Sequence, residues 1–469
     1  VTTPQRSGGA KGIRARYAGS PSGDIHIGNM RTLLFNWFFA RHEGGTFVWR
    51  VEDTDPERAK PELIARAAET FRWIGIDWDE GPEVGGPHEP YRQSQRGAMH
   101  REALAKLEAS GMVYRCYCTR DDIKARGVAT GYDRFCRTRT DRPDAPYALR
   151  FVVPEEDVVV HDLLRGEVRT PFAEMQDFVV ARSDGSPTFV VANTADDIDM
   201  EITHVIRATD LLPAAAQNVL LFRALGAEVP VYAHVPLVLG PDKARLGARH
   251  GAVGTLAYRD AGYLPEALMN YLALLGWGSP SGDEILDRDR IVSEFTLDRI
   301  HHAPAVFDTT KLNWLNQQYI QQLAPDDLVQ RVMALYPMTD GTTLAKVVEL
   351  ELIQTRITTL AEIPEAIRYL HERPMIDEGA AGKWLGTDEA RTTLETVASR
   401  LESLEPWEPE AIKTAVQSTI EELDLHRRKG PKPIFVAIAG QETALPLFES
   451  IWLIGREEAV ARLRAAASV

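Results

Sequence analysis

Residues 13–29 read Ile13-Arg14-Ala15-Arg16-Tyr17-Ala18-Gly19-Ser20-Pro21-Ser22-Gly23-Asp24-Ile25-His26-Ile27-Gly28-Asn29, and this stretch decides the fold. Its first six residues make a short alternating strand. Gly19 to Asp24 is dense in turn formers. Met30, Leu33, Leu34, Trp37 and Phe38 then fall at i, i+3, i+4, i+7 and i+8, the stripe of an amphipathic helix. Residues 46–51, Thr-Phe-Val-Trp-Arg-Val, read as a second strand ending in Glu52-Asp53-Thr54-Asp55. Strand, turn, helix and strand form a βαβ unit, which implies a parallel sheet with a ligand crevice at the carboxyl ends of its strands.

The segment His26-Ile27-Gly28-Asn29 falls where that crevice meets a helix amino terminus, whose free N–H groups and dipole favour phosphate. Gly28 leaves room for a flat base or ribose against the backbone. His26 is a candidate donor to phosphate oxygens. A histidine at this place also serves as a plain helix cap or a surface residue, and both readings stand.

The chain has 469 residues, which suits two to four domains. Its 44% apolar and 26% charged residues are those of an ordinary soluble globular protein. No apolar run approaches the roughly 18 residues of a membrane span. Residues 1–12 are polar and Gly-rich, without the apolar core of a secretory signal, and are expected to form a flexible leader of a cytoplasmic enzyme. The formal net charge of −15 excludes a simple basic coat for nucleic acid, yet RNA contact depends on local patches. His426-Arg427-Arg428-Lys429 with Lys432 is such a patch, or else a solvated loop.

The residues from Arg16 to Asn29, with Arg31-Thr32-Leu33-Leu34-Phe35-Asn36-Trp37, resemble the signature of bacterial glutamyl-tRNA synthetases. Arg50-Val51-Glu52-Asp53-Thr54-Asp55, Trp78-Asp79-Glu80-Gly81-Pro82 and Tyr91-Arg92-Gln93-Ser94 resemble that family's further markers. The resemblance implies an α/β Rossmann-type catalytic domain with a parallel sheet and a connective insertion, followed by an all-α anticodon-binding region. Its division would be a first catalytic half over 13–115 and an acceptor-binding insertion over 116–200. A second half with a stem-contact region follows over 201–325, then anticodon-binding helical domains over 326–378 and 379–469. The implied activity is ATP- and Mg²⁺-dependent ligation of L-glutamate to tRNA(Glu) through glutamyl-adenylate, by a monomer. The alternatives are a diverged synthetase paralogue activating glutamate or a related acyl group, and a non-catalytic tRNA- or glutamate-binding homologue.

By the same resemblance Arg16, Ala18, Ser20, Phe189, Asn193 and Arg207 surround the glutamate, and Glu52 holds its ammonium. A cationic fork suits a carboxylate and an anion suits an amine. The family's proline before Ser20 is Gly19 here, and its tyrosine is Phe189. His26, Gly28, Thr209, Leu239 and Arg245 are the implied ATP contacts, with Asn29, Lys243 and Arg249 joining His26, Gly28 and Arg245 in catalysis. Thr209 stands where the family has an acid. The segment Lys243-Ala244-Arg245-Leu246-Gly247-Ala248-Arg249-His250-Gly251 aligns with the loop the family writes Lys-Leu-Ser-Lys-Arg-His-Gly. Its serine and second lysine are Gly247 and Ala248 here, which removes an ammonium that meets charge developing on ATP.

The three cysteines fall between positions 116 and 136, a crowding that speaks for a local metal site rather than a disulfide framework. The family match makes Cys116, Cys118, Tyr132 and Cys136 candidate zinc ligands. Three buried, metal-free thiols are the other reading. Arg356 lies near a family arginine that reads an anticodon base, and is expected on a helix.

Overall fold

The computed structural model describes residues 12–21, 23–54, 60–128, 131–246 and 254–468. It divides into two compact units, one running to Tyr258 with Pro265–Lys311, the other Arg259–Leu264 with Leu312 onward. In the first unit the opening stretch gives β1 (Arg14–Gly19), α1 (Ile27–His42) and β2 (Thr46–Val51), followed by α2 (Pro61–Ile74) and α3 (Gly97–Ala109). Next come β3 (Val113–Cys116), α4 (Arg120–Ala125), β4 (Ala148–Phe151), β5 (Val158–Asp162), β6 (Gly166–Thr170) and β7 (Val179–Ala181). α5 (Phe189–Asp199), β8 (His204–Ala208), α6 (Leu212–Ala224) and β9 (Val231–Val235) complete the core.

The main sheet has the order β2-β1-β8-β9-β5-β6. Every neighbouring pair is parallel except the hairpin β5–β6. The hairpin and α5 lie in the stretch read as a connective insertion, yet β5 pairs with β9 and so extends the main sheet. A second, antiparallel sheet joins β4 and β7 of the same stretch to β3, which precedes it but for Cys116.

Residues opposite each other across paired strands share a sheet face. Arg16 pairs with Val48, Ala18 with Arg50, Val205 with Tyr232, Arg207 with His234, and Tyr232 with Asp162. The Ala15↔His204 register of β1 and β8 brings these into one set. All of them therefore project from one face, where Val48, Val205 and Tyr232 pack with Val191 and Ala195 of α5, Val219 of α6 and Leu107 of α3. Tyr17 and Trp49 point the other way, onto Phe71 of α2, with ring centroids 6.0 and 4.7 Å apart.

Helix α1 departs from the amphipathic expectation. The predicted stripe is buried, but so are Phe35, Asn36, Phe39 and Ala40 on the other sides. The reason is that α1 lies between the sheet and the helices Pro265–Leu274 and Arg288–Glu294, which cover its outer surface. Arg207 lies inside β8, with its face fixed by pairing to β9.

The second unit is helical, with no strand among its described residues. Leu394, Val397 and Leu401 of the helix Asp388–Glu402, Ile412 and Val416 of Pro409–Glu422 and Leu463 of Arg456–Ala467 are fully buried. Arg356 is exposed on a turn between helices, its N–H bonded to the Ile353 carbonyl at 2.8 Å, which corrects its expected place on a helix. Among the described residues no helix is long and apolar enough to cross a membrane.

Candidate active site

Strand pairing puts charge at the carboxyl end of the parallel sheet, where an open α/β sheet forms its crevice. Ala18, Arg50, Arg207 and His234 form the terminal row on the α5 face, and Arg16 lies one row deeper. Above them α5 presents Phe189, Asn193 and Asp197, spaced four residues apart on one side of the helix. Phe189, the first residue of α5, is half exposed at the mouth. Ser20 is exposed and Ala18 half buried.

Arg16 Nε and Nη2 donate to the two carboxylate oxygens of Asp197 at 3.1 and 3.3 Å. Arg50 Nη1 donates to the same carboxylate at 2.6 Å. Burial alone would raise the Asp197 pKa, but the two guanidinium groups outweigh it and hold the carboxyl below its ordinary range. Asp197 is thus a fixed anion that clamps two cations under the helix.

Glu52 follows β2, with its N–H bonded to the Gly19 carbonyl at 3.0 Å. Its Oε1 accepts from Asn193 Nδ2 at 2.7 Å. Burial raises the Glu52 pKa above the ordinary carboxylate value, although Arg50 and Arg16 pull it down. The side chain is nearly buried, and Arg50 Nη2, 3.4 Å from its Oε1, does not fully offset that burial, which suits the group to an incoming cation.

The further sequence markers brace this loop. Asp53 accepts from Ser94 N and Oγ, both at 2.8 Å, and from Arg92 Nε at 2.9 Å. Glu80 takes a two-pronged bond from Arg14 at 2.8 and 2.9 Å and the Tyr91 hydroxyl at 2.8 Å. Gly19 is matched to its surroundings, since a Cβ there would meet the Tyr17 hydroxyl at 2.6 Å.

At the amino end of α1 His26 caps the helix. Its Nδ1 accepts from the N–H of Gly28 at 3.2 Å and of Asn29 at 3.4 Å. An accepting Nδ1 puts the proton of the neutral ring on Nε2, which remains a donor. Burial, and then the Arg245 charge, lower the His26 pKa, so the ring is neutral at pH 7. One imidazole thus offers a capping acceptor at Nδ1 and a donor at Nε2. Asn29 is exposed, and a Cβ on Gly28 would meet the His26 ring at 3.2 Å.

Arg245 belongs to the same end, its Nη1 2.9 Å from Asp210 Oδ2. Asp210 follows Thr209, which is half buried in a short turn after β8. Leu239 lies in the strand Val238–Leu239 and bridges to Arg245. Lys243 is exposed, with φ of 61°, in the tight turn closed by Gly240 and Ala244. Arg249, with Gly247 and Ala248, lies outside the described residues.

The cysteines converge. Sulfur atoms of Cys116, Cys118 and Cys136 all lie within 4.8 Å of one another, with 3.4 Å between Cys118 and Cys136. Three thiolates about 2.3 Å from one zinc stand roughly 3.8 Å apart, so the spacing fits a tetrahedral ion. The Tyr132 hydroxyl oxygen accepts from Cys116 Sγ at 3.3 Å and from the Cys136 N–H at 2.8 Å. Burial, reinforced by Cys136, pushes the Cys118 thiol up to about 11, a strain that a bound cation would relieve.

Sequence reasoning missed Arg50, Asp197, Asp162, His234 and Asn218 as site residues. Asp197 was within reach, because it follows Asn193 by four on a helix. Arg50 alternates with Val48 on a strand, so its face was readable too. The others give no local signal.

A family model described as tRNA synthetases class I (E and Q), catalytic domain, matches residues 12–314, and an anticodon binding domain matches residues 315–467. A glutamate–tRNA ligase of Mycolicibacterium smegmatis is 40% identical over 97% of this chain and 99% of its own length. A glutamate–tRNA ligase 1 of Acidithiobacillus ferrooxidans is 41% identical with the same coverage of both chains. The crystal structure of a glutamate tRNA ligase from Elizabethkingia meningosepticum, in complex with its amino acid, is similar with a TM-score of 0.87 at 30% identity. That likeness covers 98% of this chain and all of the other. With both domains matched and the charged crevice in place, the chain belongs to the class I tRNA synthetases of the glutamate and glutamine type.

Proposed function

We propose that this chain ligates L-glutamate to tRNA(Glu), forming glutamyl-adenylate from glutamate and ATP and passing the glutamyl group to the terminal ribose of the tRNA. The observation that carries the reading is one pocket holding a buried, under-compensated carboxylate, Glu52, beside two guanidinium groups, Arg16 and Arg207. An amino acid with a second carboxylate offers one cation and two anions, the complement of that set. Glu52 takes the ammonium with help from Asn193. Arg16, Ser20 and Arg207 take carboxylate oxygens, and Ala18 and Phe189 line the walls. His26 Nε2–H and Arg245 meet the ATP phosphates, with Asn29, Lys243 and Arg249 at the same end. Gly28, Leu239 and Thr209 border the nucleoside. The family uses ATP with Mg²⁺, and the ion neutralises phosphate charge.

Beyond the crevice, the division at 115, 200, 325 and 378 and the role of Arg356 at an anticodon base are part of the same proposal. So are a monomeric state and a cytoplasmic location. Purified protein is expected to catalyse ATP–pyrophosphate exchange that requires glutamate, assayed with and without tRNA, and to load labelled glutamate onto tRNA(Glu). Absence of both activities beside intact tRNA binding overturns the reading.

Cys116, Cys118, Cys136 and Tyr132 are proposed to hold one zinc ion, which would tie β3 to the turn around Cys136. The expected result is one zinc per chain by elemental analysis, released by a mercurial thiol reagent and lost in C136A. Metal-free protein after growth with added zinc speaks for three structural thiols instead.

A further inference from the structure

Arg207 is held differently from the other cation of the pocket. Arg16 meets a carboxylate directly, at Asp197. Between Arg207 and the nearest carboxylate bonded to its neighbours, Asp162, stands a whole imidazole. His234 of β9 is fully buried, with Nε2 3.0 Å from Arg207 Nε and Nδ1 2.6 Å from Asp162 Oδ2. A guanidinium only donates, so Nε2 must accept, and the proton of a neutral ring then sits on Nδ1 and goes to Asp162. The three groups form one directed chain, carboxylate to imidazole to guanidinium. Burial also lowers the His234 pKa, against the pull of Asp162, in keeping with a neutral ring.

The rest of Arg207 is fixed as tightly. Nη2 donates to the Leu211 carbonyl and to Asn218 Oδ1, both at 3.2 Å. Asn218 is turned by its own bond from Nδ2 to Thr194 Oγ1, at 3.0 Å. The guanidinium carbon stands 5.3 Å from the Tyr232 ring centroid, and the same ring stacks on His234 at an angle of 10°. Nε and Nη2 are thereby occupied, and Nη1 is the corner with no partner among the described residues. Asp162 is itself anchored, accepting from the N–H groups of Leu164 and Arg165 at 2.9 Å and of His234 at 3.0 Å.

We infer that Asp162 and His234 are positioning residues that aim Arg207 Nη1 at the substrate carboxylate without neutralising it. A carboxylate directly on Arg207 would orient the fork and also cancel its charge. A neutral imidazole spacer supplies the acceptor and the orientation, and leaves the cation available to the ligand. This inference rests on the reading of Arg207 as a carboxylate ligand.

Two substitutions at one position separate the positioning role from a merely structural one. In H234Q the side-chain oxygen can stand at the Nε2 place and accept from Arg207, while the link to Asp162 is lost. In H234N the amide nitrogen can stand at the Nδ1 place and donate to Asp162, while Arg207 loses its acceptor. The expected result in glutamate-dependent pyrophosphate exchange is a KM for glutamate raised about tenfold or more in H234N, the scale of one hydrogen bond to a charged group. H234Q stays within about threefold of the parent on that scale, and kcat changes less than KM in both. A structural tie between β5 and β9 predicts the reverse order, and that order overturns the inference. D162N supplies a second route should H234N not fold. It makes Nδ1 the acceptor, turns the Nε2 proton toward Arg207, and is expected to raise the same KM. An unchanged KM in D162N and H234N beside a raised one in R207A overturns the positioning role alone. An unchanged KM in R207A removes the reading of Arg207 and the inference with it.

Discussion

Replacing Glu52 by glutamine is expected to lower kcat/KM for glutamate by about 10²-fold or more while raising the melting temperature. The two effects have one cause. Glu52 is an anion held in a place that disfavours anions, with burial as the largest influence on its raised pKa. On the proposed reading the substrate ammonium adds to the counter-charge that Arg50 offers at 3.4 Å. Removing one partner of a buried, hydrogen-bonded charge pair costs roughly 2–5 kcal/mol, so the loss falls on glutamate binding. For stability the sign is opposite. A carboxyl whose folded pKa is raised stabilises the fold fully below its unfolded value, and that contribution disappears as pH climbs through the folded value. At pH 7 the Glu52 carboxyl is therefore a burden on the free protein, and a neutral amide of the same shape relieves it, by something on the order of 1 kcal/mol. The amide oxygen still accepts from Asn193. The parent's kcat/KM should also fall with acid over a window that begins above the ordinary carboxylate range, and E52Q should lack that limb. Thermal melts and pH profiles of the two proteins check all three points. A lower melting temperature in E52Q, or an unchanged kcat/KM, would remove Glu52 as the ammonium ligand.

The opening βαβ unit was readable because its periods are local: alternation over β1 and β2, an i, i+3, i+4 stripe over α1. The burial of the other sides of α1 was not, because its cover comes from residues 265–294, more than two hundred positions away. The same distance separates what was found in the site from what was missed. Arg16, Glu52 and Arg207 carry recognisable markers. The partners that set their charge, Asp197 for Arg16 and His234 with Asp162 for Arg207, are joined to them only through strand register and helix packing. A histidine in Tyr232-Ala233-His234-Val235 looks like any half-buried strand residue until β8 is laid beside it. Cys116, Cys118 and Cys136 were legible as a cluster because β3 and the Cys136 turn fold back within twenty residues. For Arg356 the resemblance carried a residue identity but not the local backbone, and helical periodicity nearby gave no sign of the turn.

The largest loss of stability should come from Asp196, one residue from the clamp yet outside the substrate pocket. Its side chain is wholly buried and accepts from Arg96 Nε at 2.6 Å, His100 Nε2 at 2.8 Å and Gln93 Nε2 at 2.8 Å. Burial by itself would raise the Asp196 pKa, but the bond from His100 and the charge of Arg50 lead the influences that depress it. A depressed carboxyl stabilises the fold above its unfolded pKa, and that stability is lost as pH falls through the folded value. D196A deletes the anion and leaves Arg96, itself fully buried, with Asp199 and two backbone carbonyls as its partners. Breaking such a pair costs about 3–5 kcal/mol, enough to lower the first unit's melting temperature by on the order of ten degrees. D196N should cost less. The new amide can keep one oxygen toward Arg96 and His100 while its nitrogen faces Gln93, whose Oε1 is buried without a partner and can turn to accept. Helix α5 carries Asn193 and Asp197 as well, so D196A should also raise the KM for glutamate, whereas D196N should leave it nearer the parent. Thermal melts from pH 4 to 8 test the assignment. A D196A melting temperature within about two degrees of the parent, or a D196N no milder than D196A, would show that Asp196 is not the charge that holds α5 to the 93–100 segment.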